Sequence, residues 1–180
     1  KVYPTLKADF DYLLDCSTKK IQLFNSSTSP TSPITKFTWL NDQKIISDKD
    51  TFEYTLPELG LYKFNLKTQT AEGCIDSISQ SIELIPFSKA SYTNSGVYNA
   101  TTDKYVICSK ELKVDFASQS NHPSFIWQIN QETKSVKNFT YNFPDTGTYK
   151  VNLIINPNTF CSDTSSKTFT ILPPLDADFS

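Results

Sequence analysis

The chain has 180 residues, of which 38 % are hydrophobic, 13 % aromatic and 20 % charged, and its formal net charge at pH 7 is -2. This length allows one or two globular domains, and the scattered charges give no support to binding of nucleic acid or of an anionic membrane surface. The longest apolar runs fall far short of the roughly 20 residues that cross a bilayer, so we predict no membrane insertion.

Apolar residues that alternate with polar ones predict short β-strands along the first half of the chain. In chain order, the alternating sets are Ile21 and Leu23, then Phe37 and Trp39, then Tyr62, Phe64 and Leu66. Turn-forming clusters such as residues 25–33, NSSTSPTSP, separate the sets. No stretch shows a helical period, so we predict an all-β fold.

The second half of the chain repeats the first. Its alternating sets are Val114 and Phe116, then Phe125, Trp127 and Ile129, then Tyr149, Val151 and Leu153. The motif Gly-x-Tyr-Lys-x-Asn-Leu occurs at residues 60–66 and again 87 residues later at 147–153. Such a repeat is typical of a structural module that is built twice.

The same register predicts the domain boundaries. Ala8-Asp9-Phe10 and Ala90-Ser91-Tyr92 begin the two copies, and a third start, Ala177-Asp178-Phe179, follows at the end. Residues 95–105, SGVYNATTDKY, are extra material in the second copy. We predict one sandwich over residues 6–86, a second over 88–173 and the start of a third repeat over 174–180, in a longer protein. Prolines at the joints predict a semi-rigid string of domains.

Each copy is predicted to be a two-sheet β-sandwich with about seven strands in about 85 residues. A domain of this size buries only about 60 to 68 % of its unfolded surface, so its stability margin is thin. A disulfide would increase that stability margin.

The four cysteines, Cys16, Cys74, Cys108 and Cys161, are distributed two to each half. Their wide spacing does not fit a zinc site. We predict two structural disulfides in an oxidising compartment, Cys16 with Cys74 and Cys108 with Cys161, each contributing roughly 4 kcal/mol in the chain-entropy model. The alternative is four buried thiols in a cytosolic protein.

The Gly-x-Tyr stretch resembles the start of strand F in immunoglobulin-like sandwiches, where the Tyr hydroxyl bonds to nearby backbone as a tyrosine corner. In an immunoglobulin domain a Cys stands two residues after that Tyr, whereas here Cys74 and Cys161 follow Tyr62 and Tyr149 by 12 residues. Because of this different cysteine position, the chain does not match the pattern of a true immunoglobulin domain.

The whole pattern resembles the PKD (polycystic kidney disease) domain, an immunoglobulin-like β-sandwich. The first copy matches through the residues Phe10, Phe37-Thr38-Trp39, Tyr54 and Gly60 to Leu66. The second copy matches through Tyr92, Phe125-Ile126-Trp127, Tyr141 and Gly147 to Leu153. The sequence departs from the family after each Trp strand, where LNDQK (residues 40–44) and QINQE (residues 128–132) replace a Gly-Asp-Gly turn. Trp39, Tyr62, Trp127 and Tyr149 are thereby predicted to be fold-determining core residues.

The cysteine-containing variant of this pattern is similar to tandem repeats of large Bacteroidota surface proteins, such as gliding-motility adhesins and type IX secretion cargo. Residues 72–77, EGCIDS, and 160–164, FCSDT, carry this resemblance. It implies a secreted, cell-surface protein in which the chain is a non-catalytic spacer or stalk of an adhesin. Its partners would be neighbouring repeats and a surface protein or glycan. The alternatives are a protein- or glycan-binding module and an accessory region of a secreted hydrolase.

No residue set predicts catalysis, and we expect no enzymatic activity and no cofactor. His122, the one histidine, stands in a polar loop without a nearby nucleophile. Asp42, Asp48 and Asp50 offer the hard oxygen ligands that calcium prefers, but their spacing matches no known calcium loop, so we predict no metal site there.

Overall fold

A computed structural model of the chain describes residues 6–108 and 112–173. Every regular element within those residues is a β-strand, so none of them forms a helix that could span a membrane. The predicted all-β class is confirmed. The chain divides into two units, Lys1–Phe87 and Ser88–Ser180. The predicted third start, residues 174–180, lies outside the described residues.

The first unit contains seven strands among its described residues, as the alternation of apolar residues predicts. They are β1 (Phe10–Asp15), β2 (Lys20–Asn25), β3 (Ile34–Asn41), β4 (Lys44–Ser47), β5 (Thr51–Thr55), β6 (Gly60–Thr70) and β7 (Ile75–Leu84).

These strands form two antiparallel sheets with the orders β1-β2-β5 and β4-β3-β6-β7. The inward side chains of the two sheets meet. The Phe10 ring on β1 contacts the Trp39 ring on β3 edge to face, with centroids 5.1 Å apart. The Tyr54 ring on β5 contacts the Phe64 ring on β6 at 6.0 Å. The unit is therefore a sandwich with an aromatic core.

The second unit contains nine strands among its described residues, two more than the predicted seven. They are β8 (Tyr92–Asn94), β9 (Val97–Asn99), β10 (Lys104–Ile107), β11 (Lys113–Ser118), β12 (Phe125–Ile129), β13 (Glu132–Lys134), β14 (Asn138–Asn142), β15 (Gly147–Ile155) and β16 (Asp163–Ile171).

The extra strands are the hairpin β9–β10, formed by the inserted residues of the second copy. Strand β10 runs parallel to the last part of β16, with Tyr105 opposite Phe169 and Ile107 opposite Ile171. The larger sheet thus has the order β13-β12-β15-β16-β10-β9, and the smaller sheet β14-β11-β8 corresponds to β5-β2-β1 of the first unit. The insertion widens one sheet and leaves the shared sandwich unchanged.

The hairpin after each tryptophan strand forms without glycine. In the first unit Asn41 pairs with Lys44 across a two-residue turn, in which Asp42 and Gln43 take φ values of 44° and 71°. In the second unit Ile129 pairs with Glu132, and Asn130 takes a φ of 54°. Two positive φ values match the twist of a tight hairpin, and Asp and Asn tolerate them better than most residues. The missing Gly-Asp-Gly turn therefore does not prevent the hairpin.

Candidate functional site

The two Gly-x-Tyr motifs build tyrosine corners at the start of β6 and β15. The Tyr62 hydroxyl donates to the Glu58 carbonyl oxygen at 2.6 Å and accepts from the Glu58 backbone N–H at 3.1 Å. The Tyr149 hydroxyl donates to the Asp145 carbonyl oxygen at 2.9 Å. Each hydroxyl bonds four residues upstream, so the repeated motif has a structural purpose in both copies.

The two tyrosines differ in burial. Tyr62 is buried and stacks on Phe64 with ring centroids 6.3 Å apart, whereas Tyr149 is half-buried and contacts Phe143 at 4.7 Å. The prediction that both belong to the core thus holds in full for Tyr62 and in part for Tyr149. Whether they determine the fold stays a prediction.

Trp39 and Trp127 occupy the centre of each core with no solvent exposure. The Trp39 indole N–H donates to the Lys49 carbonyl oxygen at 2.8 Å, and the Trp127 indole N–H donates to the Val136 carbonyl oxygen at 3.0 Å. Their polar groups are therefore satisfied inside the protein, and their faces are covered by neighbouring aromatic rings. Neither side chain is available to stack on a sugar.

In each copy, the aspartate two residues after the second cysteine bonds the start of the first strand to the last strand. We did not predict this role from the sequence. Asp76 Oδ2 accepts a bond from the Ala8 backbone N–H at 2.8 Å, and Asp163 Oδ2 accepts the same bond from Ala90 at 2.6 Å. Both alanines are buried, so the carboxylate satisfies a backbone donor that water could not reach. The repeated Cys-x-Asp spacing was the available signal.

A second repeated contact lies further along the same two strands. The Gln80 side-chain amide donates to the Phe10 carbonyl oxygen at 2.7 Å, and the Lys167 ammonium donates to the Tyr92 carbonyl oxygen at the same distance. The Lys167 ammonium also lies 4.4 Å from the centroid of the Tyr92 ring, a cation–π contact. Burial, with a smaller effect of Tyr105, raises the pKa of the Tyr92 hydroxyl, so it remains a neutral donor to the Val151 carbonyl oxygen.

These contacts define two poles in each sandwich. We call the pole where Asp76 or Asp163 contacts the start of the first strand the N-terminal pole. The opposite pole, where the last strand ends at Leu84 or Ile171, is the C-terminal pole. The first and last strands both run from the first pole to the second, because Gln80 lies beside Phe10 as Asp76 lies beside Ala8.

The predicted disulfide pairings, Cys16 with Cys74 and Cys108 with Cys161, are corrected by the structure. Cys16 and Cys161 are disulfide-bonded, whereas Cys74 and Cys108 carry free, exposed thiols. The prediction of two disulfides formed within single copies is therefore wrong for this structure, although the presence of a disulfide is right.

The physical reason is that the two cysteines of each copy lie at opposite poles of the sandwich. Cys74 precedes β7 at the N-terminal pole, and Cys16 follows β1, eight residues beyond Ala8, which places it about 26 Å away along the strand. In the second copy Cys161 precedes β16, whereas Cys108 follows Ile107, which pairs with Ile171 at the other end of that strand. A disulfide needs Cα atoms within about 7 Å, so neither pair can close.

The turn that carries Cys16 is held by Asp15. The Asp15 carboxylate accepts bonds from the hydroxyl of Ser17 at 2.6 Å and the hydroxyl of Thr18 at 2.7 Å, and also from their backbone N–H groups. These bonds lower the pKa of Asp15 to about 2, and the bond from the Ser17 hydroxyl has the largest effect. The cysteine is thereby presented on an ordered turn.

The residues considered for catalysis or metal binding do not converge. His122 accepts a bond from the Ser124 backbone N–H at 3.1 Å on its Nδ1 atom and is part of a local turn. Among residues 6–108 and 112–173, no three His, Cys, Asp or Glu side chains lie close enough to hold a metal ion. Asp42, Asp48 and Asp50 therefore do not form a calcium cage there.

A large cavity of the first unit lies at its N-terminal pole, beside Cys74. The cavity has a volume of about 860 Å³, and its lining includes Lys7, Ser32, Thr70 and Asp76. Ser32 is buried, and its hydroxyl has no hydrogen-bond partner among the described residues. That oxygen is covered by its own surroundings, so an occupant of the cavity would meet the other polar lining residues instead.

The fold is shared with solved modular β-sandwich proteins. Fibronectin(III)-like modules of Clostridium thermocellum CbhA align over 91 % of this chain and 91 % of their own, with a TM-score of 0.53 and 12 % identity. The PKD1 domain of Vibrio anguillarum Epp aligns over 47 % of this chain and 99 % of its own, with a TM-score of 0.43 and 14 % identity. The PKD1 domain of the Vibrio cholerae metalloprotease PrtV aligns over 45 % of this chain and 98 % of its own, with a TM-score of 0.41 and 17 % identity.

No protein-family model and no curated protein matches the sequence. The similarity to solved structures therefore describes the fold, an all-β chain built of sandwich modules.

Proposed function

We propose that the chain consists of two tandem PKD-like β-sandwiches, residues 6–86 and 88–173, followed by the start of a third at 174–180. In this proposal they are non-catalytic spacer repeats of a large secreted cell-surface protein, an adhesin that serves attachment or gliding. Each sandwich adds reach, so that a terminal functional domain is held away from the cell.

The observation that carries the proposal is the repetition of interior contacts. The Tyr hydroxyl, the Trp indole N–H and the Asp carboxylate make the same bonds in both copies, each to the backbone of its own unit. Polar side chains that serve a shared ligand or reaction would point into a common cleft. Here the repeated polar groups are used to hold strands and turns, as expected for a module that is multiplied for length.

An extracellular, cell-surface location is part of the same proposal. The disulfide-bonded state of Cys16 and Cys161 favours an oxidising compartment, because thiols in the cytosol are kept reduced. The Bacteroidota origin and the type IX secretion route rest on the resemblance of the Cys-x-Asp segments at 74–76 and 161–163. Purification of the chain from its native cells, with assay of the surface fraction, tests this location.

The spacer role is tested by binding assays with the whole 180-residue chain. A glycan array and a pull-down from cell-surface extracts are expected to show no specific ligand. Specific binding that is lost when the loop within 26–33, or the tip of the β9–β10 hairpin at 100–103, is replaced by a Gly/Ser linker of equal length would overturn the spacer role and favour a glycan- or protein-binding module. A catalytic domain encoded beside these repeats would instead favour an accessory region of a secreted hydrolase.

A further inference from the structure

The four cysteines are of two kinds, distinguished by the pole at which they lie. Cys74 and Cys161 occupy the N-terminal pole of their sandwiches, each two residues before the aspartate that bonds the first strand. Cys16 and Cys108 occupy the C-terminal pole, after β1 and β10. Every sandwich therefore carries one cysteine of each kind, at opposite ends.

Within each kind, one cysteine is disulfide-bonded and the other is a free thiol. Cys16 and Cys161 are disulfide-bonded and buried, with 8 % and 2 % of their surface exposed. Cys108 and Cys74, at the equivalent repeat positions, are free and exposed. The bonded cysteines thus comprise one of each kind, and so do the free ones. A position that forms a disulfide in one copy has an unused, accessible equivalent in the other.

The cavity at the N-terminal pole provides a place for a partner beside Cys74. It is bordered by Cys74 itself and by the polar side chains of Lys7, Glu72 and Asp76. At about 860 Å³ it can receive a turn of a few residues with its backbone polar groups. Where the structure describes the chain around a C-terminal-pole cysteine, Cys16 stands in the tight turn that Asp15 bonds to Ser17 and Thr18.

We propose that Cys74 is the acceptor for a cysteine at the C-terminal pole of a further copy of this repeat, and that Cys108 is the corresponding donor. The bond joins Cys108 Sγ of one molecule to Cys74 Sγ of the next, head to tail, with the segment bearing Cys108 seated in the cavity beside Cys74. This inference deepens the proposed spacer role, because covalent links between repeats would let a stalk carry load without unfolding its joints.

The bond requires an oxidant, for which a low-molecular-weight disulfide such as oxidised glutathione suffices. The Cys74 thiol loses a proton, and its thiolate attacks the small disulfide, which gives a mixed disulfide and releases one thiol. The Cys108 thiolate of the other molecule then attacks the Cys74 sulfur, forms the Sγ–Sγ bond and releases the second thiol. Two protein thiols are oxidised, and one small disulfide is reduced to two thiols.

The test uses two variants of the full 180-residue chain, C74S and C108S, one of them isotopically labelled. Each retains one free cysteine and the Cys16 and Cys161 disulfide state. Mixed in equal amounts in a glutathione redox buffer, they are expected to form mixed dimers in about tenfold or greater excess over like-with-like dimers, because seating raises the effective thiol concentration. Dimers in the statistical proportion, half of them mixed, would overturn the proposal.

A displaced thiol provides the matched control. The triple variant C74S/C108S/S135C carries its one free thiol on the exposed loop between β13 and β14 instead of at the C-terminal pole. Mixed with C108S, it should form dimers through Cys74 at no more than the statistical proportion; an excess equal to that of C74S with C108S would overturn the proposal.

The wild-type chain gives a reading that does not depend on the variants. It should form a ladder of disulfide-linked multimers, and peptide mapping should find the Cys108–Cys74 crosslink in excess of Cys74–Cys74 and Cys108–Cys108. Failure of this linkage would leave the spacer role intact, since that role is read from ligand binding and not from thiol pairing.

Discussion

Asp76 accepts a hydrogen bond from the backbone N–H of Ala8 at 2.8 Å, although 68 residues separate them in sequence. The bond ties the start of the first strand to the start of the last, at the pole where the chain enters the sandwich. Asp163 and Ala90 make the same contact in the second copy. A short Cys-x-Asp motif therefore closes the sandwich at its N-terminal pole.

Replacing Asp76 by alanine should destabilise the first unit by about 1–3 kcal/mol, because the buried Ala8 N–H would lose its charged acceptor. Urea unfolding of the whole chain measures the loss, and hydrogen exchange assigns it to the first copy. Asp48→Ala removes an exposed turn carboxylate and is the control, expected to have little effect. Equal effects of the two variants would contradict the role of Asp76.

Removing the tyrosine hydroxyls should have unequal effects in the two copies. Tyr62→Phe deletes a buried hydroxyl that both donates to and accepts from the Glu58 backbone, so we expect a loss of about 1–2 kcal/mol. Tyr149→Phe deletes the bond of a half-buried residue, and we expect about 0.5–1 kcal/mol. Unfolding by urea, followed in both variants, measures the difference, and a larger loss for Tyr149→Phe would show that burial is not the deciding factor.

The glycine that precedes the first tyrosine corner is required by its backbone and not by space. Gly60 has a φ of 140°, and a Cβ at this position would meet no atom within 4 Å. Gly60→Ala should therefore cost about 1–3 kcal/mol through strain alone. Glu58→Ala, which keeps the backbone bonds to Tyr62, serves as control. An unchanged denaturation midpoint in Gly60→Ala would show that the turn relaxes.

The turn at Asp15 should respond to acid in a defined range. The pKa of Asp15 is lowered to about 2 in the folded chain, below its usual value near 3.8. Its contribution to stability is therefore fully present above pH 4 and is lost as pH falls through about 2. An NMR titration of the Asp15 carboxyl should give a midpoint near 2, whereas a midpoint near 3.8 would show that the bonds to Ser17 and Thr18 do not persist in solution.

Alkylation of the folded chain without reductant should separate the cysteines into two classes. Cys74 and Cys108 should be labelled, because their thiols are free and exposed, and Cys16 and Cys161 should remain unlabelled until a reductant is added. Peptide mass mapping reads all four positions. Labelling of all four cysteines in protein from its native compartment would contradict both the disulfide-bonded state and the proposed extracellular location.

The sequence predicted the parts of the fold that depend on local pattern. Alternation of apolar residues located the strands around Trp39 and Trp127, and the repeated glycine and tyrosine located both corners, because these features are specified within a few neighbouring residues. The parallel pairing of β10 with β16 was not predictable, since it joins residues more than 60 positions apart and leaves no local signal.

The cysteine pairing failed for a related reason. Two cysteines in one copy suggested a bond within that copy, but the outcome depends on which pole each strand brings its cysteine to. Cys16 follows a strand that runs away from the pole of Cys74, and only the three-dimensional path of β1 reveals this. Asp76 was likewise overlooked, since an aspartate in a turn usually serves its own backbone.

The most direct test of the spacer role is a replacement within the surface protein that we propose to carry these two sandwiches. Residues 6–173 are exchanged for two unrelated β-sandwich domains of matching length, and a second variant lacks them entirely; attachment of cells to a surface is measured for both. We predict that the exchange preserves attachment and that the deletion weakens it. Loss of attachment in the exchanged protein, equal to that in the deletion, would show that these sandwiches act through their own surface and not through their length.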